Sequence, residues 1–265
     1  MKNLFKPGVL KDISLLLEIT KRDIQLKFKG SFLGWTWLLI SPLFMASLYT
    51  IFFSVIFQAK WGNNDNHFSY GVMIFSGLII HSFFMEAIIR SSSCITENAN
   101  LVKKVILPIQ ILPISVVLTA SFQLLMSVIV LATIQPTVGF TLSITVILVP
   151  IILMPIAFFT IGISLFLASV GVFFRDISQI MPLLSTLVLF TSPTLFPRES
   201  MPTMVGGIIA FNPITLPIEH LRQITLLGQL PIISEFITSL SIALVTLYMG
   251  WLFFQKTRKG FADVL

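Results

Sequence analysis

Charged side chains inside long apolar stretches are the first residues to consider for chemistry, because burying charge in an apolar medium is costly. Glu86 and Arg90 lie four residues apart near the end of one such stretch, a spacing at which two side chains on a helix can pair. We interpret them as a structural ion pair. Proton-coupled transport would need ionisable groups deeper in the membrane, and His81 is the other candidate in the first five apolar segments.

The remaining reactive side chains do not form a recognisable catalytic or metal-binding pattern. His67, His81 and His220 lie in different segments without a carboxylate or cysteine at metal-ligand spacing, so we expect no zinc site. The single cysteine, Cys94, excludes an internal disulfide. The sequence has no phosphate loop of the form G-x-x-x-x-G-K-[ST], so we expect no ATP bound in that way and no cofactor in this chain.

The composition is that of an integral membrane protein. Of 265 residues, 55% are hydrophobic and 11% are charged, against roughly 25% charged residues in soluble domains. We predict an all-α membrane protein with one domain over residues 1–265 and six transmembrane helices. Their predicted ranges are 32–59, 68–89, 109–133, 141–170, 177–196 and 236–254.

The distribution of lysine and arginine predicts the orientation. Under the six-span model, most of these residues fall on the side that holds both termini, and Lys60, Arg198 and Arg222 fall on the other. This bias places both termini in the cytoplasm. A seventh crossing over 201–218 would weaken the bias, because the last three basic residues would move outside. The formal net charge of +6 is explained by attraction to anionic lipids, and we expect no nucleic-acid partner.

Two segments outside the spans have patterns of their own. Residues 9–28, within a cytoplasmic segment 1–30, have apolar residues at mostly helical spacings, which predicts an amphipathic helix in the membrane interface. Segment 197–235 is modestly apolar and broken by prolines and glycines. It predicts half-helices that enter the outer membrane face and return, provided that protein shields their backbone.

The first span is rich in aromatic residues. Trp35 and Trp37 fit an aromatic belt at the inner interface. Tyr49 lies mid-span, where its hydroxyl needs a partner and its ring offers a face on which a sugar can stack. The predicted substrate path is lined by Tyr49, Phe52, Phe53, Trp35 and Trp37.

Segment 91–108 is the longest predicted connection on the cytoplasmic side between two spans. Thr96, Glu97 and Asn98 can begin a short helix, which would carry Leu101 and Val102. Apolar residues exposed to water are easier to explain if a partner buries them. We therefore predict that this segment docks a partner protein.

Five stretches, read in order, form a wider pattern: KRDIQLKFKGSFLGWTWLLISPLF at 21–44, ENANLVKKVILPIQILP at 97–113, FFRDISQI at 173–180, SPTLFP at 192–197 and FNPITLPIEHLRQITLLGQLP at 211–231. Together they resemble the polysaccharide-export ABC permeases, the membrane halves of O-antigen, capsule and teichoic acid exporters. The resemblance covers nearly the whole chain, and five motifs in order make it specific.

The resemblance implies a homodimer of twelve spans in a bacterial inner membrane, with two ATPase subunits that bind ATP and magnesium. It also implies a central channel for a lipid-linked polysaccharide, with O-antigen as the first candidate. By analogy, 9–28 is the interface helix, 91–108 holds the coupling helix and 201–228 holds the gate helices. The residues assigned to coupling are Glu97, Asn98, Leu101, Val102, Lys103 and Lys104. Those assigned to the outer gate are Phe211, Asn212, Pro213, Glu219 and Arg222. Cytoplasmic structural roles go to Arg22, Asp23, Arg175, Asp176, Glu86 and Arg90.

Two alternatives remain open from the sequence. One is an ABC exporter of a drug, lipid or other small molecule, although such relatives often carry a large external domain that is absent here. The other is a membrane-embedded glycosyl or acyl transferase, which would need a catalytic base or clustered carboxylates. The acidic residues in this sequence are scattered singly.

Overall fold

The computed structural model describes residues 7–58, 68–104, 108–198, 207 and 209–265, and every regular element in these ranges is helical. This agrees with the predicted all-α class, since a chain in hydrocarbon must satisfy its backbone hydrogen bonds internally. The helices are α1 (Pro7–Phe28), α2 (Trp37–Tyr49), α3 (Phe68–Glu97), α4 (Ala99–Lys104), α5 (Ile111–Ile134), α6 (Val149–Ile152), α7 (Met154–Phe173), α8 (Ile177–Phe190), α9 (Thr215–Thr225), α10 (Ile233–Thr257) and α11 (Phe261–Val264).

Five helical segments are long and apolar enough to cross a membrane, and they coincide with five of the six predicted spans. They are Gly34–Phe53, Ser69–Glu97, Ile111–Val138, Ile144–Phe173 and Ile233–Gly260. The second is longer than predicted, because α3 continues through residues that the sequence pattern assigned to a loop. The first changes from α-helix to π-helix over Thr50–Ile56, directly after Tyr49.

The prediction of a continuous helix over 177–196 is wrong. Helix α8 has 14 residues and ends at Phe190, a length of about 21 Å, whereas the hydrocarbon is about 30 Å thick. The chain continues in turns from Thr191 to Phe196. Pro193 explains the break, because proline disfavours helical backbone at the residue before it.

The chain that contains α8 nevertheless runs antiparallel to α3 along most of its length. Before α8 begins, Gly171 near the end of α7 packs against the backbone of Ser92, which places the turn that leads into α8 near the last turns of α3. In the middle, His81 Nε2 lies 3.0 Å from the Ser185 carbonyl oxygen. At the other end, the Tyr70 hydroxyl donates to the Leu195 carbonyl at 3.0 Å. The turns after α8 therefore extend its path to the level of the first turn of α3.

Helix α3 is the centre of the bundle, since 83% of its most apolar window is buried, against 11% for α10. The main hydrophobic core surrounds α3 and includes side chains from α5, α7, α8 and α9. Helix α10 packs chiefly on α7. There, a Cβ atom on Gly162 would lie 2.7 Å from the Leu247 Cα, and one on Gly250 would collide with the Gly162 carbonyl. Small residues allow this close approach, as is common between membrane helices.

Gly250→Leu should therefore separate the α7 and α10 backbones and lower the free energy of unfolding by about 1–3 kcal/mol, the usual cost of overpacking. Ser241→Leu, on the exposed face of the same helix, is the matched control and should have little effect. Thermal unfolding of both variants in detergent compares them. An unchanged midpoint for Gly250→Leu would contradict the close packing.

Candidate functional site

A cluster of charges connects the amphipathic helix α1 to the C-terminal half of α3. Lys27 Nζ lies 2.7 Å from Glu86 Oε1, and Arg90 Nη2 lies 2.5 Å from Asp23 Oδ2. Arg90 Nη1 is 3.8 Å from Glu86 Oε1. The predicted Glu86–Arg90 pair is thus present as the longest of three contacts, and each residue has a closer partner on α1.

Helix α5 adds polar groups to this charge cluster. Lys27 also donates to Gln123 Oε1 at 2.5 Å, and the Thr119 hydroxyl lies 3.5 Å from Asp23 Oδ2. The sequence pattern did not identify Lys27, Thr119 and Gln123 as members of this cluster. The available signal was the spacing of Thr119, Gln123 and Ser127 every four residues, which places one polar stripe on an otherwise apolar helix.

Within the predicted coupling segment 91–108, residues 91–104 belong to two helices joined at Asn98, and residues 105–107 lie outside the described residues. Glu97 is the last residue of α3 and accepts a 2.7 Å hydrogen bond from Ser93. Asn98 follows, and its side-chain amide donates to the Cys94 carbonyl at 2.8 Å, which caps the end of α3. Helix α4 then runs to Lys104, with Lys103 exposed.

The expectation that Leu101 and Val102 lie exposed to water is wrong. Both are half-buried against the chain itself. Val102 packs on a small hydrophobic cluster between α3, α5 and α7. Leu101 lines a cavity of about 170 Å³ together with Arg22 and Asp23 of α1. The reason is that α3 continues to Glu97, so α4 begins next to the bundle and its apolar side chains contact neighbouring helices.

The aromatic residues of the first span separate into two groups. Trp35, Trp37 and Phe52 are exposed on the surface of this chain. Tyr49 and Phe53 are half-buried and stack on each other with ring centroids 6.3 Å apart. The Phe53 ring stacks in turn on Tyr70 at 5.8 Å.

Tyr49 borders a groove of about 280 Å³ between α2, α3 and α5. Its polar lining comes from Tyr49, Ser41, Ser82, Gln123 and Ser127. Gln123 also accepts the hydrogen bond from Lys27, so this groove and the charge cluster share one side chain. The groove combines an aromatic ring with hydroxyl and amide groups, which is the chemistry that binds sugars.

Segment 197–235 is held to the bundle by the buried guanidinium of Arg222. This side chain donates to Ser76 Oγ at 3.1 Å, to the Met73 carbonyl at 3.0 Å and to the Thr194 carbonyl at 3.3 Å. It also pairs with Glu219 at 3.0 Å. Arg222 therefore joins α9, α3 and the turns after α8, although the sequence placed it with the free charges of the outer side.

Asn212 makes the second attachment of segment 197–235. Its side-chain amide donates to the Val188 carbonyl at 3.0 Å and to Thr191 Oγ1 at 2.9 Å, while its oxygen accepts from the Ile214 backbone. Phe211, by contrast, is 91% exposed, and Pro213 lies in the turn that leads to α9. Of the predicted gate range 201–228, residues 201–206 and 208 lie outside the described residues.

Other titratable groups do not combine into a reactive centre. His220 is buried in α9, with Nε2 3.8 Å from Glu235 Oε2. Burial lowers the pKa of His220, and the Glu235 carboxylate partly opposes this effect. Arg175 and Asp176 are exposed at the turn between α7 and α8. Within the described residues, no group of three or more potential metal ligands occurs.

Arg222→Met should lower the free energy of unfolding by about 3–5 kcal/mol, because it leaves Glu219 and two buried carbonyl groups without their charged donor. Arg198→Met removes an exposed charge on the same side and should change stability by less than about 0.5 kcal/mol. Chemical denaturation in detergent measures both. Equal stability of the two variants would show that the Arg222 contacts contribute nothing net.

Comparison with known proteins shows the family of this chain. The family described as ABC-2 type transporter matches residues 14–226, from α1 through α9. Two O-antigen export system permease proteins RfbA of Klebsiella pneumoniae are each 27% identical to this chain, over 95% and 100% of it and 95% and 99% of their own lengths. The permease of the same name from Myxococcus xanthus is 26% identical over 94% of both chains.

The family match covers the charge cluster, the Tyr49 groove and the Arg222 contacts. The resemblance to polysaccharide-export ABC permeases, drawn from five motifs, is confirmed. With several apolar helices long enough to span and a family match over most of its length, this chain is a multi-pass membrane protein of the ABC-2 type transporter family.

Proposed function

We propose that this chain is the membrane subunit of an ATP-driven exporter that moves a lipid-linked polysaccharide, with O-antigen as the first candidate, across a bacterial inner membrane. The observation that carries the proposal is the similarity to O-antigen export permeases over at least 94% of this chain and of each relative. An enzyme function is disfavoured, since the family is one of permeases.

ATP hydrolysis belongs to a separate subunit in this proposal, because the sequence has no phosphate-binding loop. Helix α4 is the element best placed to receive that subunit. It follows α3 after Asn98 alone, so a push on α4 acts directly on the central helix. Lys103 and Glu97 are exposed and available for a polar contact.

Six crossings with both termini in the cytoplasm are supported by the path of the chain around α8. Gly171 at the end of α7 contacts Ser92, and Leu195 after α8 contacts Tyr70. The chain between these two residues therefore covers the part of α3 from Tyr70 to Ser92, which is about 33 Å long at 1.5 Å per residue. That distance matches the hydrocarbon thickness of about 30 Å. The helix plus its turns therefore suffices for a crossing, although the helix alone does not.

A channel between two copies is supported by the open faces of α2 and α8. A polysaccharide is polar and hydrated, so it needs a continuous protein-lined path, and a single bundle centred on the buried α3 offers little room for one. Both α2 and α8 expose most of their large apolar residues in the single chain. These include Leu39, Leu43, Phe44 and Met45 on α2, and Ile180, Leu183, Leu187 and Phe190 on α8. A second copy can cover these faces, with the Tyr49 region beside the path.

The proposed topology predicts which positions a membrane-impermeant maleimide reaches in intact spheroplasts. The native Cys94 is buried, so the unmodified chain should give little background. Arg198→Cys should be labelled in intact spheroplasts. Lys259→Cys should be labelled only after the membrane has been permeabilised. Labelling of Lys259→Cys in intact spheroplasts would contradict six crossings with a cytoplasmic C-terminus.

The proposed path predicts that Tyr49→Ala reduces export roughly two- to tenfold, because it removes a stacking interaction of about 0.5–1.5 kcal/mol. Tyr49→Phe, which retains the ring, should keep most of the activity. Surface polysaccharide measured in cells that lack the native permease gives the rate.

Tyr248→Ala is the matched control for Tyr49→Ala, since this tyrosine is 61% exposed on α10, away from the groove. It should export normally. Equal export by Tyr49→Ala and Tyr248→Ala, at equal protein levels in the membrane, would exclude Tyr49 from the path.

A further inference from the structure

The C-terminal residues of the chain fold back and pack against the ends of α7 and α10. Helix α10 ends at Thr257, a single turn covers Arg258–Gly260, and α11 follows over Phe261–Val264. We call Arg258–Leu265 the C-terminal hook. In the sequence, this segment is notable only for its basic residues, which indicate the orientation of the chain in the membrane.

Phe261 is the buried anchor of the C-terminal hook. Its side chain is fully buried, and its ring lies 5.6 Å from the Phe254 ring in an edge-on arrangement and 5.9 Å from the Phe173 ring. Arg258, Lys259 and Val264 are exposed in the same segment. The pattern is that of a segment attached through one large apolar side chain.

Phe261 completes the small hydrophobic cluster on which the coupling helix rests. The buried members of this cluster come from α3, α5, α7, α10 and α11, and they are Cys94, Ile95, Leu112, Val116, Leu165, Ala168, Val172, Phe254 and Phe261. Val102 of α4 and Leu265 of the hook pack against it. Helix α4 and the hook therefore share one apolar support, separate from the main core around α3.

Helix α4 is too short to be stable without contacts to the rest of the bundle. It has six residues, whereas isolated helices shorter than about 12–15 residues are marginal in water. Its half-buried apolar side chains, Leu101 and Val102, are its means of attachment to the bundle. A coupling element transmits force only if it is held rigidly, so the packing of the cluster determines how well α4 can act.

We propose that Phe261 is a positioning residue for the coupling helix. By filling part of the cluster against which Val102 packs, Phe261 holds α4 in the conformation in which a push from the ATPase reaches α3. The positional part of this inference rests on packing alone, and the part that concerns force rests on the proposed function.

Hydrogen exchange on the purified chain in detergent tests the positional part. Phe261→Ala should make the amides of residues 99–104 exchange at least about tenfold faster, because α4 opens more often when its support is lost. Phe261→Leu, which keeps an apolar side chain, should restore most of the protection. Val264→Ala, an exposed position in the same hook, should exchange like the parent chain.

Unchanged exchange in residues 99–104 of Phe261→Ala would overturn the inference. Uniformly faster exchange throughout α5 and α7 would also overturn it, since that result would mean general destabilisation and no specific support of α4.

Reconstitution with the ATPase subunit tests the part that concerns force. Phe261→Ala should retain ATP hydrolysis but export at least about threefold less polysaccharide per ATP, with rescue by Phe261→Leu. Export and hydrolysis that fall in parallel, or a normal ratio, would overturn the coupling role. If the parent complex hydrolyses ATP without exporting polysaccharide, the proposed function fails, while the exchange experiment still decides the position of α4.

Discussion

The constraint on which this fold depends is that backbone groups without a helical partner must find donors inside the protein when no water is near. Helix α8 ends at Phe190, part of the way across the bundle. The carbonyl groups of Val188, Thr194 and Leu195 are then satisfied by three side chains: Asn212, Arg222 and Tyr70. Asn212 and Arg222 belong to segment 197–235 and Tyr70 belongs to α3, so the end of α8 connects that segment to α3.

Two side chains, Asn212 and Arg222, consequently hold the described part of segment 197–235 to the bundle. Asn212 holds the approach to α9, and Arg222 holds α9 itself against the first turns of α3. A movement that opens an exit must leave these contacts intact or break several charged hydrogen bonds at once. The side chain of Phe211, next to Asn212, is exposed. It can therefore change its surroundings without breaking the hydrogen bonds of Asn212 and Arg222.

The end of the bundle that holds α1 and α4 is organised by charge on one side and by apolar packing on the other. Asp23 and Lys27 join α1 to α3 through Arg90 and Glu86, and opposite charges in pairs reduce the cost of leaving water. Helix α4 packs through Val102 on a cluster that includes Phe261. Any displacement of α4 therefore acts on α3, and α1 is attached to the same helix. Gln123 connects the charge cluster to the groove beside Tyr49.

The sequence by itself determined the membrane class, the helical nature of the spans and five of their six positions, because apolar length and backbone satisfaction leave few alternatives. It also determined the family, through five ordered motifs. Only the tertiary structure decided where α8 ends, where α3 stops and which partners the buried charges take. Periodicity identifies neighbours within one helix, such as Glu86 and Arg90. The hydrogen-bond partners of the charged side chains are far apart in the sequence: Lys27 and Glu86 are 59 residues apart, and Met73 and Arg222 are 149 residues apart. Only the packing of the helices brings such residues together.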